Sequence, residues 1–364
     1  AYTVWNKFMT YNPADPQWPN RDRFVLSNGH GSMLVYALIH LAGIKALNPD
    51  GSVKDAPSLP MDELKRFRQL HSKTPGHPEN EITAGVETTT GPLGTGVGNA
   101  VGMAIAQKWK AAYYGRPGFE QLFDHRVYCI CGDGCMMEGV ASEASSLAGH
   151  LKLNNLTLIY DDNGITIDGH THLAFSDDVV KRYQAYGWHT IRVSDGNDVD
   201  GMAKALEEAK SVTDRPTLIA LKTVIGFGSP NKADTHGAHG EPLGADEIKL
   251  TKKAYGWPED SSFLVPDGVY EQFNNGIGKR GAEAQAAYLK LLDEYRAKYP
   301  KEAAEIAAME KRDLPPGWDK DIPVFKADPK GLATRESSGQ VLNAIAKNVP
   351  WMVGGSADLN PSTK

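Results

Sequence analysis

The chain predicts an α/β fold, a doubly wound and mostly parallel sheet with helices on both faces. Three observations carry this. Residues 127–131 (VYCIC) and 156–160 (LTLIY) are short, nearly unbroken apolar runs, the pattern of strands buried on both faces. Helix-length segments alternate with these and later strand-like runs, as in βαβ units. The runs also end in Gly, Asp and Asn: GDG at 132–134 and DDNG at 161–164. Because parallel crossovers are right-handed, ligands are expected there, at the carboxyl ends of the strands.

In order, residues 1–30 mix aromatics with turn formers and end in the SNGHG segment 27–31. Met33, Leu34, Ala37, Leu38 and Leu41 then repeat at helical spacing. A polar loop at 48–60 precedes a helix expected over 61–70. A Thr/Gly-rich loop at 88–96 leads into a small-residue helix at about 97–113. The segment 138–150 supplies the helix between the two buried strands. Residues 189–193 and 217–224 read as further strands, joined by an amphipathic helix at 199–210. An Ala/Glu/Lys-rich helical stretch, 281–312, is broken at Pro300. The expected domains are residues 1–312, a Pro-rich linker at 313–332, and the start of a second domain at 333–364, with a helix at 336–347 and a strand at 352–354. Some thirty residues with two elements cannot bury a core of their own.

Of the 364 residues, 41% are hydrophobic, enough for a core and against a disordered chain. With 39 Lys and Arg against 45 Asp and Glu the net charge is −6, which excludes a broadly basic nucleic-acid binder. No apolar run of about 18 residues is present, so no membrane span is expected. Cys129, Cys131 and Cys135 have a spacing that could serve a metal. The place of Cys129 and Cys131 in a buried run, with no fourth ligand nearby, favours small core side chains in a reducing, cytoplasmic compartment. The chain opens Ala1-Tyr2-Thr3, without Met or a signal-peptide pattern, which points to an N-terminus lying upstream or processed.

Three constellations bear chemistry. Asp133 at the end of one buried strand and Asn163 at the end of the next lie one βαβ crossover apart. A carboxylate, an amide oxygen, a carbonyl such as that of Ile165 and two phosphate oxygens would suit Mg²⁺. His30, His77, His236 and His239 stand on Gly- or Pro-flanked loops, where an imidazole approaches a ligand or moves a proton. His236 and His239 are also spaced like half a zinc site, without a helical face or a third ligand nearby. The loop 88–96 is a Gly-rich loop without the Lys-Ser/Thr of a P-loop.

Together these segments resemble the transketolase family over nearly the whole chain. The resemblance rests on DRFVLSNGHG (22–31), HSKTPGHP (71–78), GVETTTGPLG (85–94), GDGCMMEG (132–139), YDDN (160–163), IGFGS (225–229), HGAHGEPL (236–243) and GGSADL (354–359). Gly-Asp-Gly with the spaced Asn is shared by thiamine-diphosphate enzymes generally; the histidine loops mark the transketolase branch.

The resemblance implies thiamine diphosphate as cofactor, anchored by Mg²⁺ or Ca²⁺ on Asp133, Asn163 and the Ile165 carbonyl. It implies Gly134, His30 and His239 beside the diphosphate, Gly91 and Leu93 against the cofactor rings, and Ile225 against the thiazolium. His30, His77 and His239 would line the sugar channel as catalytic and substrate-binding residues, and Arg335 and Ser362 would meet the sugar phosphate. Asp358 would approach the cofactor from the second subunit of a homodimer, and Glu138 would link the two sites. The implied reaction moves a two-carbon ketol unit from a ketose phosphate, such as xylulose 5-phosphate, to an aldose phosphate, such as ribose 5-phosphate, through the thiamine diphosphate carbanion, in the pentose phosphate pathway.

The sequence also departs from the family pattern. An early Gly-His-Pro segment would precede Ala1, and the glutamate and aromatic residues that serve the aminopyrimidine would follow Lys364. The expectation is therefore the diphosphate-side half of a subunit, inactive alone. Two other readings stay open at this point: dihydroxyacetone synthase, with formaldehyde as acceptor, and a non-catalytic cofactor-binding subunit completed by a second chain.

Overall fold

The computed structural model describes residues 1–356, 358 and 359. The chain forms two compact units, Ala1–Leu289 and Lys290–Lys364.

The first unit is built on seven strands: β1 (Arg23–Leu26), β2 (Lys45–Leu47), β3 (Val53–Pro57), β4 (Val127–Gly132), β5 (Leu156–Asp162), β6 (His189–Val193) and β7 (Thr217–Lys222). Five form one sheet in the order β1-β4-β5-β7-β6, every neighbouring pair parallel. β2 and β3 make a separate antiparallel hairpin. The helices are α1 (Ser32–Ala42), α2 (Met61–Lys65), α3 (Thr95–Tyr114), α4 (Asp133–Met137), α5 (Gly139–His150), α6 (Val179–Ala185), α7 (Val199–Ser211), α8 (Ala245–Ala254) and α9 (Val269–Phe273), with α10 (Lys279–Lys298) crossing the boundary between the units.

The alternation of side chains along each strand feeds two cores. Phe24, Leu26, Tyr128, Ile130, Ile159 and Ile219 face a core shared with α1, α7 and the aromatic N-terminal segment. Val25, Val127, Cys129, Cys131, Leu158, Tyr160, Leu218 and Ala220 face the core made with α3, α5 and α6. Every residue of β4 is buried, as its continuous apolar run predicts. The three thiols are buried, and desolvation pushes those of Cys129 and Cys131 well up. α7 turns Met202, Ala205, Leu206 and Ala209 inward at helical spacing and is capped by Asp198, which accepts from Gly201 N–H at 2.8 Å.

Several local expectations are corrected. Residues 1–30, read as aromatics among turn formers with no strand assigned, contribute the edge strand β1 and bury Trp5, Tyr11 and Trp18. The polar stretch 48–60 holds β3. The helix expected over 61–70 ends at Lys65: Arg68 (φ +61°) and His71 (φ +62°) are left-handed, and Thr74 Oγ1 donates to the Glu63 carbonyl, folding the chain back. The strand at 217–224 ends at Lys222.

The second unit contains α11 (Pro300–Glu310), opened by its proline, and α12 (Thr334–Asn348). Asp321 accepts from Asn348 Nδ2 at 3.1 Å and pairs with Lys347 at 3.3 Å. The strand expected at 352–354 is not formed; among the described residues all strands pair within the first unit.

Candidate active site

The register aligns the strand ends: Leu26 pairs with Ile130, Gly132 with Asp161, and Asp162 with Lys222. At this edge Asp133, the first residue of α4, is buried. Its Oδ1 accepts from Tyr160 Oη at 2.5 Å. Its Oδ2 accepts the backbone N–H groups of Gly164 (2.9 Å) and Asn163 (3.2 Å). The expected meeting of Asp133 and Asn163 across one crossover is therefore what the fold produces. Burial raises the Asp133 carboxyl, opposed by the Tyr160 and Gly164 hydrogen bonds and helped by Asp162 and Asp161.

Asn163 Oδ1 accepts from Ile165 N–H at 2.9 Å, and its Nδ2 donates to Asp161 Oδ2 at 3.4 Å. Gly164, at φ +75°, makes the left-handed turn that brings buried Ile165 back beside Asn163. Asp133, Asn163 and the Ile165 carbonyl give hard oxygen donors with one charge, a set suited to Mg²⁺ when phosphate oxygens complete it. Among the described residues no cluster of three or more His, Cys, Asp or Glu side chains is gathered to hold a metal without such help.

Three loops converge at the same edge. The His30 and His239 rings stack with centroids 4.8 Å apart. Burial, then His239, His77 and Arg68, lowers the His30 pKa, and burial lowers that of His239. Buried His239 Nδ1 has no partner, as expected of an atom awaiting a ligand. α1 holds the His77 loop: Ser32 Oγ donates to the Gly76 carbonyl at 2.9 Å and Tyr36 Oη to that of Pro75 at 2.8 Å.

Thr90 ties the Gly-rich loop to β1, donating from Oγ1 to the Leu26 carbonyl at 2.7 Å, and its N–H reaches the Pro78 carbonyl at 3.2 Å. A Cβ on Gly91 would stand 3.5 Å from the His77 ring, so the two residues face each other. A Cβ on Gly134 would stand 2.7 Å from Leu93 Cδ1, and one on Gly94 would stand 2.8 Å from Cβ of the exposed Glu138. Ile225 is half-buried; its neighbour Gly226 packs against Ala238, next to His239. Exposed Arg335, in the first turn of α12, and exposed Asp358 belong to the second unit. Ser362 lies outside the described residues.

The geometry adds residues that the sequence reading passed over. Asn28 has a buried, unpartnered Oδ1 and lies against Gly132, with its Cβ 3.8 Å from where a Cβ would stand there. Arg68 brings a cation to the histidines. Asn28 sits in a segment read for its histidine, and Arg68 in a stretch read as plain helix.

The sheet and its polar carboxyl edge define an α/β ligand-binding domain. Its family is shown by comparison: the family model for the thiamine diphosphate binding domain of transketolase matches residues 1–315. Transketolase of Geobacillus stearothermophilus is 54% identical over the whole chain, which spans 52% of that relative. Transketolase 1 of Escherichia coli is 50% identical, with 53% of its length spanned. A solved transketolase from Leishmania mexicana superposes with a TM-score of 0.90 at 46% identity, over 99% of this chain and 51% of that one. A Pichia stipitis transketolase in complex with sedoheptulose 7-phosphate gives 0.88 at 48% identity, over 98% of this chain and 51% of that one. The chain belongs to the transketolase family. It spans about half the length of the curated relatives it matches.

Proposed function

We propose that this chain holds thiamine diphosphate for transketolase chemistry, the reversible transfer of a two-carbon ketol unit between sugar phosphates. The observation that carries this is the meeting of Asp133 and Asn163 at adjacent strand ends, in a chain whose His30 and His239 loops also stack on each other. Thiamine diphosphate, when bound, supplies the carbon nucleophile and electron sink for cleaving the bond beside a ketose carbonyl.

In this reading Asp133, Asn163 and the Ile165 carbonyl hold Mg²⁺, or Ca²⁺ in its place, against the diphosphate, with Gly134 and the two stacked histidines beside it. Gly91, Leu93 and Ile225 receive the rings. His30 and His239, with pKa values held below the ordinary 6.5, are neutral bases at neutral pH and line the sugar channel with His77. Arg335 and Ser362 take the substrate phosphate, where a guanidinium fork suits the oxygens. Exposed Val140, Leu147 and Leu151 on and just after α5 support a homodimer, to which Asp358 and Glu138 contribute at the interface. Among the described residues no helix is long and apolar enough to cross a membrane. We place the protein in the cytoplasm and the pentose phosphate pathway. That a relative was solved with sedoheptulose 7-phosphate supports the substrate class.

The test is sedoheptulose 7-phosphate formation from xylulose 5-phosphate and ribose 5-phosphate by the subunit carrying this chain. His239→Ala is expected to lower kcat/KM roughly 10²-fold or more. Undiminished turnover in that variant removes His239 from the reaction.

A further inference from the structure

Tyr160 and Asp161 are consecutive in β5, so their side chains leave opposite faces of the sheet. Each reaches one of the two side chains assigned above to the cation. Tyr160, packed in the core at 5% exposure, donates its hydroxyl to Asp133 Oδ1 at 2.5 Å. Asp161 accepts Asn163 Nδ2 on Oδ2 at 3.4 Å, and its Oδ1 accepts the Thr223 hydroxyl. Thr223 directly follows β7, which pairs with β5 at Asp161 itself.

These contacts have a specific consequence for a hard cation. A side-chain amide presents oxygen and nitrogen of nearly the same shape, and only the oxygen can ligate. A carboxylate accepts and never donates, so Asp161 can pair only with the NH₂ end of Asn163. Together with Ile165 N–H, which donates to Oδ1 at 2.9 Å, it fixes the amide's orientation, and the second lone pair of that oxygen is left for the metal. Tyr160, with the two backbone N–H groups on Oδ2, likewise fixes the plane of the Asp133 carboxylate.

We propose that Tyr160 and Asp161, the latter braced by Thr223, are positioning residues for the divalent-cation site: Tyr160 sets the Asp133 carboxylate and Asp161 sets the amide polarity of Asn163. The inference rests on the assignment of Asp133 and Asn163 as cation ligands. Groups of this kind orient ligands without touching the metal.

The test measures apparent dissociation constants for Mg²⁺ and for Ca²⁺ by calorimetry on the full chain at fixed thiamine diphosphate. The metal-free Tm is recorded beside them. Tyr160→Phe and Asp161→Asn are each expected to weaken Mg²⁺ roughly tenfold or more. Ca²⁺ should be weakened less, because Mg²⁺ demands near-ideal octahedral geometry and Ca²⁺ tolerates distortion. Thr223→Val should follow Asp161→Asn, and Thr223→Ser should restore Mg²⁺ binding. Because Thr223 is half-buried and outside the core, that pair also serves if Tyr160→Phe does not fold. Mg²⁺ binding within twofold of wild type in the variants overturns the inference. So does equal weakening of both cations in step with a lowered Tm, the mark of a merely structural role. A wild-type chain that binds the cofactor without any divalent cation overturns the ligand assignment, and this inference with it.

Discussion

His30 and His239 stack at 4.8 Å, although one follows the first strand of the sheet and the other lies on the loop region beyond the last. Two imidazoles so close, and partly buried, resist taking up a proton; burial is the larger cause for His30, and His239, His77 and Arg68 add to it. The sign follows. Folded pKa values lie below the unfolded 6.5, so the stability these groups contribute is complete above pH 6.5 and is lost as pH falls through the folded values. An anionic diphosphate beside the rings, as proposed above, would favour imidazolium and oppose the shift. Thiamine diphosphate binding near pH 6 is therefore expected to take up protons. Calorimetry in buffers of different ionisation enthalpy should show the uptake in wild type and less of it in His239→Asn; equal uptake in both would falsify this assignment of the proton.

The Gly-rich loop is held to the sheet by charge. Glu87 accepts Arg21 through both oxygens at 2.8 Å and Arg23 at 3.0 Å, with its side chain 6% exposed. Burial alone would raise its carboxyl; Arg21 and Arg23 outweigh it and hold the pKa below the ordinary value. Glu87→Ala leaves two largely buried guanidinium groups with backbone carbonyl acceptors but no carboxylate, and is expected to cost about 3–5 kcal/mol in denaturant unfolding. A loss within the range of ordinary surface substitutions, about 0.5 kcal/mol, contradicts the account.

Gly96 and Gly134 separate folding from binding. A Cβ on Gly96 would sit 2.5 Å from Ser27 Cα, so α3 could not keep its approach to the end of β1. A Cβ on Gly134 meets only the tip of the Leu93 side chain, which can swing away. Gly96→Ala should destabilise by about 1–3 kcal/mol or more. Gly134→Ala should leave Tm nearly unchanged while weakening thiamine diphosphate, since the added methyl displaces Leu93 and both residues are assigned above to the cofactor. The reverse ranking in thermal melts, with cofactor affinity unchanged in Gly134→Ala, would count against both roles.

Much of this was legible in the sequence because it is local. The continuous runs at 127–131 and 156–160 announced central strands, and the GDG and DDNG segments following them located the polar edge. β1 escaped because it is four residues long and begins with a charge, directly after the charged Arg21 and Asp22. The hairpin β2–β3 escaped because β3 is polar and nearly all exposed, so no alternation marks it. α2 was overextended because apolar spacing through Phe67 and Leu70 continues past Lys65, while the stop comes from left-handed Arg68 and the Thr74–Glu63 hydrogen bond. The stacking of His30 on His239, and Arg68 beside them, depend on contacts between distant segments that no local pattern encodes.

The claim on which the rest depends is that a divalent cation on Asp133 and Asn163 joins the cofactor's diphosphate to this chain. A calorimetric titration of thiamine diphosphate, with and without Mg²⁺, into wild type and Asp133→Ala tests it most directly. The account predicts binding that requires Mg²⁺ in wild type and is lost in Asp133→Ala at the same Mg²⁺ concentration. Equal affinity in the two proteins, or binding indifferent to Mg²⁺, would contradict it.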